Sequence, residues 1–214
     1  MDSRIRDGIR AALPLAIAPL LFGASFGLLA VDAGLGRIGA ITMSATTFAG
    51  SAQFAAASIL DSGGGVAAAI LAALLLNARY VPLSMAVASI FPGSRRRRFV
   101  EAQLIVDESW ALSGRSGRFL HPVLLGAGLV LFVTWVGGTA LGTVAGDLLD
   151  PDAIGLGAAF PALFLALLAP YLRSSRALTT ALVAGAITLV LLPLTPPGVP
   201  IVAAAAAALI GLRR

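Results

Sequence analysis

Eight long apolar runs dominate this 214-residue chain, at residues 11–31, 38–60, 66–90, 99–113, 120–143, 155–172, 177–194 and 199–212. A bilayer core about 30 Å thick is crossed by roughly 20 consecutive apolar residues in a helix. Lipid offers no partner to backbone N–H and C=O groups, so only helices and closed barrels cross it. The runs are too long for strands and show no period of two, which leaves helices. Little polar chain remains for a soluble domain: 58% of residues are hydrophobic, 12% are charged, and the mean hydropathy is +0.96. The predicted fold class is all-α, a polytopic helical membrane protein with a single integral membrane domain over residues 1–214.

Between the runs lie "DAGLGR", "DSGGG", "PGSRRRR", "GRSGR", "GDLLDPD", "RSSR" and "TPPGVP". Their Gly, Pro and charge content suits short surface loops. All 15 basic residues are Arg, and they cluster in these breaks rather than in one basic face. That placement is a membrane topology signal and argues against nucleic-acid binding. The chain has no Cys, so no disulfide or thiol chemistry, and one His, so no His-based metal cluster. The first apolar run follows Arg4, Arg6 and Arg10 but exceeds the roughly 7–15 residues of a signal-peptide core, so it is expected to remain as a helix.

Charge placement constrains topology. Eight full crossings from a cytoplasmic N-terminus put Arg95 to Arg98 outside, which four consecutive Arg disfavour. If 38–60 and 99–113 enter and return on one side, nearly every loop Arg is cytoplasmic and only Arg37 is outside. The acidic loop with Asp147, Asp150 and Asp152 then falls outside as well. The expectation is therefore about six full spans plus two broken or re-entrant segments, with both termini cytoplasmic. These two segments are also the polar ones, carrying "TTFAGSAQF" and Glu101, Gln103, Asp107 and Glu108. Irregular backbone at membrane depth persists only inside protein or beside a wet cavity.

The strongest site signal is "ILAALLLNARYVPLSMAVASI", Ile70 to Ile90. Arg at mid-bilayer costs about 2.5–3.5 kcal/mol on insertion scales. Arg79 therefore needs an acidic side chain, exposed carbonyls or an anionic substrate group. Pro82 removes an N–H and is expected to free the carbonyl of Ala78, breaking the helix beside Arg79. Asn77 and Tyr80 add polar groups there. The acidic candidates are Asp107 and Glu108, neighbours about 100° apart on a helix, one able to face Arg79 and the other a cavity. In "AGSAQF", Ser51 and Gln53 are either binding groups or parts of a helix-packing surface of small residues.

Other features read as architecture. "GASFG" (23–27) has the spacing of a nucleophile elbow but lies in an apolar helical run without a His base, so Gly23 and Gly27 are assigned to packing. Gly138, Gly142 and Gly146, at every fourth residue, form a flat face for another helix or a partner subunit. Trp110, Trp135, Tyr80 and Tyr171 include expected interface anchors, and His121 is expected at a membrane edge.

Three motifs in order, "FAGSAQFAA" (48–56), "LLNARYVPLSM" (75–85) and "VDESWAL" (106–112), resemble the AzlC family, the large subunit of branched-chain amino-acid exporters. The resemblance covers the first two-thirds of the chain. It implies a bacterial inner-membrane transporter, export of residues such as valine, leucine and isoleucine, a small AzlD-type membrane partner, and proton-motive force as energy source, with no cofactor. Asp107 and Glu108 are the expected proton-coupling groups. Arg79, Asn77, Tyr80, Ser51, Gln53, Asp107 and Glu108 are the expected substrate-binding set, with Phe48, Phe54 and Leu76 as an apolar wall. A different reading keeps the Arg79–carboxylate pair as a structural clamp in a non-transporting scaffold. Enzymatic use of Asp107 and Glu108 lacks an accompanying nucleophile, metal set or phosphate loop, and the chain has no Lys.

Overall fold

A computed structural model describes residues 3–115, 118–145, 165, 169, 172, 174–195 and 199–207. Its helices are α1 (Ser3–Ala12), α2 (Ile17–Asp32), α3 (Gly36–Thr47), α4 (Gly50–Asp61), α5 (Val66–Asn77), α6 (Tyr80–Val87), α7 (Arg95–Ala102), α8 (Asp107–Ser113), α9 (His121–Ala145), α10 (Ser175–Leu191) and α11 (Val199–Ala204). The all-α expectation holds, with one small exception. Two-residue strands β1 (Gly114–Arg115) and β2 (Arg118–Phe119) pair antiparallel in the loop before α9.

Of the loop signals, "DSGGG" acts as read, whereas the four Arg of "PGSRRRR" form the first turn of α7 rather than a loop. "DSGGG" ends α4 in a Schellman motif: Gly64 N–H bonds the Ile59 carbonyl at 2.7 Å and Gly63 N–H bonds that of Leu60 at 3.0 Å. Gly63 takes φ +78°, where a Cβ would be strained. Ser94 opens α7 as an N-cap, accepting from Arg97 N–H.

Among the described residues, four of the apolar runs, 11–31, 38–60, 66–90 and 99–113, are not single straight helices. Among the described residues only α9, of 25 residues, is long and apolar enough to cross a bilayer unbroken. The count rises to three if α1 with α2 and α5 with α6 are each one bent span, with bends of 62° and 41°. The first bend corrects the expectation of a plain span over 11–31. Pro14 sits in a 3-10 turn, Leu13–Leu15, which ends α1 before α2 begins. Segments 38–60 and 99–113, expected to be broken, are broken at Phe48–Ala49 and at 103–106. Most of segment 155–172 and the end of segment 199–212 lie outside the described residues.

The central helix is α9, packed on α1, α2, α3 and α8. Its contact with α2 is set by paired glycines. A methyl group on Gly23 or Gly27 would overlap the carbonyls of Trp135 and Thr139; one on Gly138 or Gly142 would overlap those of Leu20 and Ala24. Gly8 and Gly126 make the same close approach between α1 and the start of α9. The first bent pair thus runs alongside α9 in the same direction. Of the three glycines read as a packing or partner face, Gly138 and Gly142 are used for internal packing, and Gly146 lies outside the described residues. This packing brings arginines together at one end. Arg4, Arg6 and Arg10 lie on α1, and α7 reaches the same end through a 2.8 Å contact of Glu101 with His121.

Buried Phe26, Phe54, Leu131 and Trp135 form the core where α2, α4 and α9 meet. Trp135, among the expected interface anchors, is buried here instead. Because backbone meets backbone at Gly142, Gly142→Val is expected to destabilise by about 1–3 kcal/mol or more. Gly137, five residues earlier in the same helix, has open space around it, so Gly137→Ala should cost nothing and gain up to about 1 kcal/mol from helix propensity. Thermal unfolding in detergent checks both: a lower midpoint for the first variant and an unchanged or higher one for the second.

Candidate functional site

Three helix breaks converge on one cavity. The first is between α3 and α4. Phe48 adopts a left-handed conformation (φ 40°, ψ 52°) and Ala49 is non-helical (φ −145°, ψ 87°), so α4 starts afresh at Gly50 inside the molecule. The second lies between α7 and α8, where Val106 is extended and α8 starts at Asp107. The third is the Ala78–Arg79 turn between α5 and α6. Pro82 cannot donate to the Ala78 carbonyl, yet that carbonyl is not left free as expected. Val81 N–H takes it at 3.1 Å, tightening the chain into a turn.

The cavity has a volume of about 380 Å³. Its polar lining is Ser51, Arg79, Tyr80, Asp107 and Glu108, and its apolar wall includes Phe22, Phe48, Phe54, Leu76 and Trp135. Arg79 is the hub. Its guanidinium contacts the Asp107 carboxylate at 3.1 Å. It also donates to Ser51 Oγ at 3.1 Å and to the Tyr80 hydroxyl at 3.3 Å. The Tyr80 ring lies 5.1 Å from the guanidinium carbon, within cation–π range. Arg79 and Asp107 remain 40% and 35% exposed, so the pair opens to the cavity rather than being sealed in the core.

Helix termini add partial charges. The first N–H groups of any helix have no acceptor within it, and a helix N-terminus carries roughly half a positive charge. Gly50 and Ser51 occupy that position in α4, facing the cavity. Asp107 and Glu108 occupy it in α8.

Gln53 has a different place from the one considered for a binding group. It is fully buried and does not line the cavity. Its Oε1 accepts from Ala49 N–H and from Trp135 Nε1, both at 3.1 Å, and its Nε2 donates to Ser44 Oγ at 2.9 Å. Ser44 in turn bonds Thr139 at 2.8 Å. This network pins the α3–α4 break to α9. Asn77 is also outside the cavity lining; its Oδ1 is buried with no hydrogen-bond partner among the described residues. Ser44, Thr139 and Trp135 were not singled out as polar partners from sequence. Their only signal is a hydroxyl or indole N–H within an apolar run. Among the described residues no group of three His, Asp or Glu could hold a metal ion.

Removing the Gln53 amide leaves several buried groups unpaired, at about 1–3 kcal/mol each. Gln53→Leu is therefore expected to lower the unfolding midpoint sharply. Asp107→Asn, at an open site, should shift it little. The comparison is made by thermal unfolding of both variants in one detergent.

The family model described as AzlC protein matches residues 14–149. An uncharacterized membrane protein of Archaeoglobus fulgidus is 34% identical over 96% of this chain and 93% of its own length. An uncharacterized membrane protein of Helicobacter pylori is 25% identical over 76% of this chain and 73% of its own length. The branched-chain amino acid transport protein AzlC of Bacillus subtilis is 28% identical over 76% of this chain and 67% of its own length. No solved structure matches significantly. The matched region contains all three motifs and the whole cavity, and the chain belongs to the AzlC family.

Proposed function

We propose that this chain is the large subunit of a secondary transporter that exports neutral, branched-chain amino acids across the bacterial inner membrane. The observation that carries the reading is the pairing of Arg79 with a cavity-lining carboxylate where three helix breaks meet. Secondary transporters commonly bind substrate at discontinuous helices, with half-helix N-termini aimed at its anionic group. A zwitterion fits both signs of this site. Its carboxylate takes Arg79 and the amide N–H groups at Gly50 and Ser51. Its ammonium takes Asp107 or Glu108. The side chain rests against Phe22, Phe48, Phe54 and Trp135.

The geometry supports an exchange step. Arg79 holds Asp107 at 3.1 Å. A substrate carboxylate competes for the same guanidinium and releases Asp107 to bind the ammonium or a proton. Coupling to the proton-motive force follows from that second option, with Glu108 as the neighbouring acceptor. Gln53, Ser44 and Thr139 act one step back, holding α4 so that its N-terminus faces the cavity. The shared arginine-bearing end is assigned to the cytoplasm by the positive-inside rule. About six full spans, two broken segments, cytoplasmic termini and a small AzlD-type partner complete the reading.

A second reading has a specific observation in its favour. The 3.1 Å Arg79–Asp107 contact ties α8 to the α5–α6 turn, which is what a structural clamp in a non-transporting scaffold would do. Two variants separate the readings. Arg79→Ala, co-expressed with the small partner in dipeptide-loaded cells, is expected to cut efflux of branched-chain residues at least tenfold with normal membrane insertion. Normal efflux would reject the site. The double swap Arg79→Asp with Asp107→Arg restores a clamp but inverts a binding site. The proposal predicts a stable protein without efflux, and recovered efflux favours the clamp.

A further inference from the structure

Helix α7, "RRRRFVEA", carries a charge density that the cavity does not use. At 3.6 residues per turn its eight residues divide into two faces. One face is engaged in contacts with the rest of the protein, although Arg97 and Arg98 on it remain exposed. Arg97 Nε bonds Glu101 at 2.8 Å, Glu101 contacts His121 at 2.8 Å, and Arg98 donates to the Ala88 carbonyl at 2.6 Å. The other face holds Arg95, Arg96, Phe99 and Val100. All four are exposed, Phe99 at 81% and Val100 at 68%. Arg95 and Arg96 have no hydrogen-bond or ion-pair partner among the described residues.

This outer face changes character along the helix rather than around it. Its first turn offers two guanidinium groups, and its second turn offers a phenyl ring and an isopropyl group. The chain then continues through Leu104, whose carbonyl packs against Gly128 of α9, to the start of α8 beside the cavity. So α7 enters the protein with its cationic turn at the arginine-bearing end and its apolar turn deeper. A soluble anion would use the arginines and leave Phe99 and Val100 in water. A phospholipid with an anionic headgroup satisfies both, phosphate on the guanidinium groups and acyl chain on the apolar pair.

We propose that the outer face of α7 binds an anionic phospholipid through Arg95 and Arg96, with Phe99 and Val100 against its acyl chains. The site is separate from the Arg79 cavity and does not depend on what that cavity carries. It takes a phosphate diester lipid such as phosphatidylglycerol in preference to zwitterionic phosphatidylcholine.

The test uses the full chain, delipidated in a neutral detergent, with phosphatidylglycerol or phosphatidylcholine titrated in and bound lipid counted by native mass spectrometry. Arg95→Gln with Arg96→Gln removes the cations without disturbing an internal contact. Arg6→Gln with Arg10→Gln removes the same charge from exposed positions of α1 and serves as control. Two cations near an anionic lipid surface correspond to about a thirty-fold change in affinity. The expected result is saturable phosphatidylglycerol binding, weakened about thirty-fold by the α7 variant and less than threefold by the control. Phe99→Ser with Val100→Ser should also weaken it. Equal weakening by the α7 variant and the control would overturn the proposal in favour of diffuse charge. Full displacement by inorganic phosphate at equal concentration would overturn it in favour of a soluble anion. Equal binding of phosphatidylcholine would overturn it outright.

Discussion

One permanent cation among apolar helices, Arg79, organises the cavity around it. It cannot shed its charge, and a cation in apolar surroundings is costly unless it is paired. The chain meets the demand by bringing acceptors from separate segments: Ser51 from the start of α4, Asp107 from the start of α8, and the Tyr80 hydroxyl from the next residue. Each acceptor is available because a helix has been interrupted there. The breaks in turn leave backbone groups that only buried protein or a wet cavity can tolerate. The cavity, the breaks and the cation are therefore one arrangement.

Holding such an arrangement requires a rigid frame. The glycine pairs between α2 and α9 let two backbones touch, which fixes their register without side-chain freedom. Trp135, anchored on that helix pair, reaches Gln53 and sits against Gly50, where an added Cβ would lie 2.8 Å from its ring. The same indole thus packs the core, satisfies the Gln53 amide and walls the cavity. Gln53 carries that constraint across the α3–α4 break to Ser44 and Ala49. A polar network fully paired in the interior specifies one geometry, and here it specifies where the α4 N-terminus points.

That Arg79 needs an anionic partner, with Asp107 and Glu108 as the candidates, was legible in sequence because charges in apolar runs are few; which of the two it takes was not, since adjacent residues on a helix differ only in the direction they face. The breaks in 38–60 and 99–113 were legible for the same reason, since polar residues at membrane depth need irregular or wet surroundings. Pro82 marked the α5–α6 turn, but the fate of the Ala78 carbonyl depends on the backbone tightening so that the Val81 N–H reaches it, which composition does not encode. The bend at Pro14 carried an equally visible proline, overshadowed by the length of the apolar run around it. Gln53 was ambiguous by nature: a buried amide needs partners whether they come from substrate or from protein. Ser44 and Thr139 were invisible, because a hydroxyl in a membrane helix is usually satisfied by its own preceding turn.

The most direct measurement of the central claim is binding by the purified chain, co-expressed with the proposed small partner, comparing leucine with two truncated analogues. Leucinamide lacks the carboxylate meant for Arg79, and isocaproate lacks the ammonium meant for Asp107 and Glu108. A site that reads both ends of a zwitterion should bind leucine and lose at least tenfold with either analogue. Leucinamide binding as tightly as leucine would contradict the account, because Arg79 would then hold no part of the substrate.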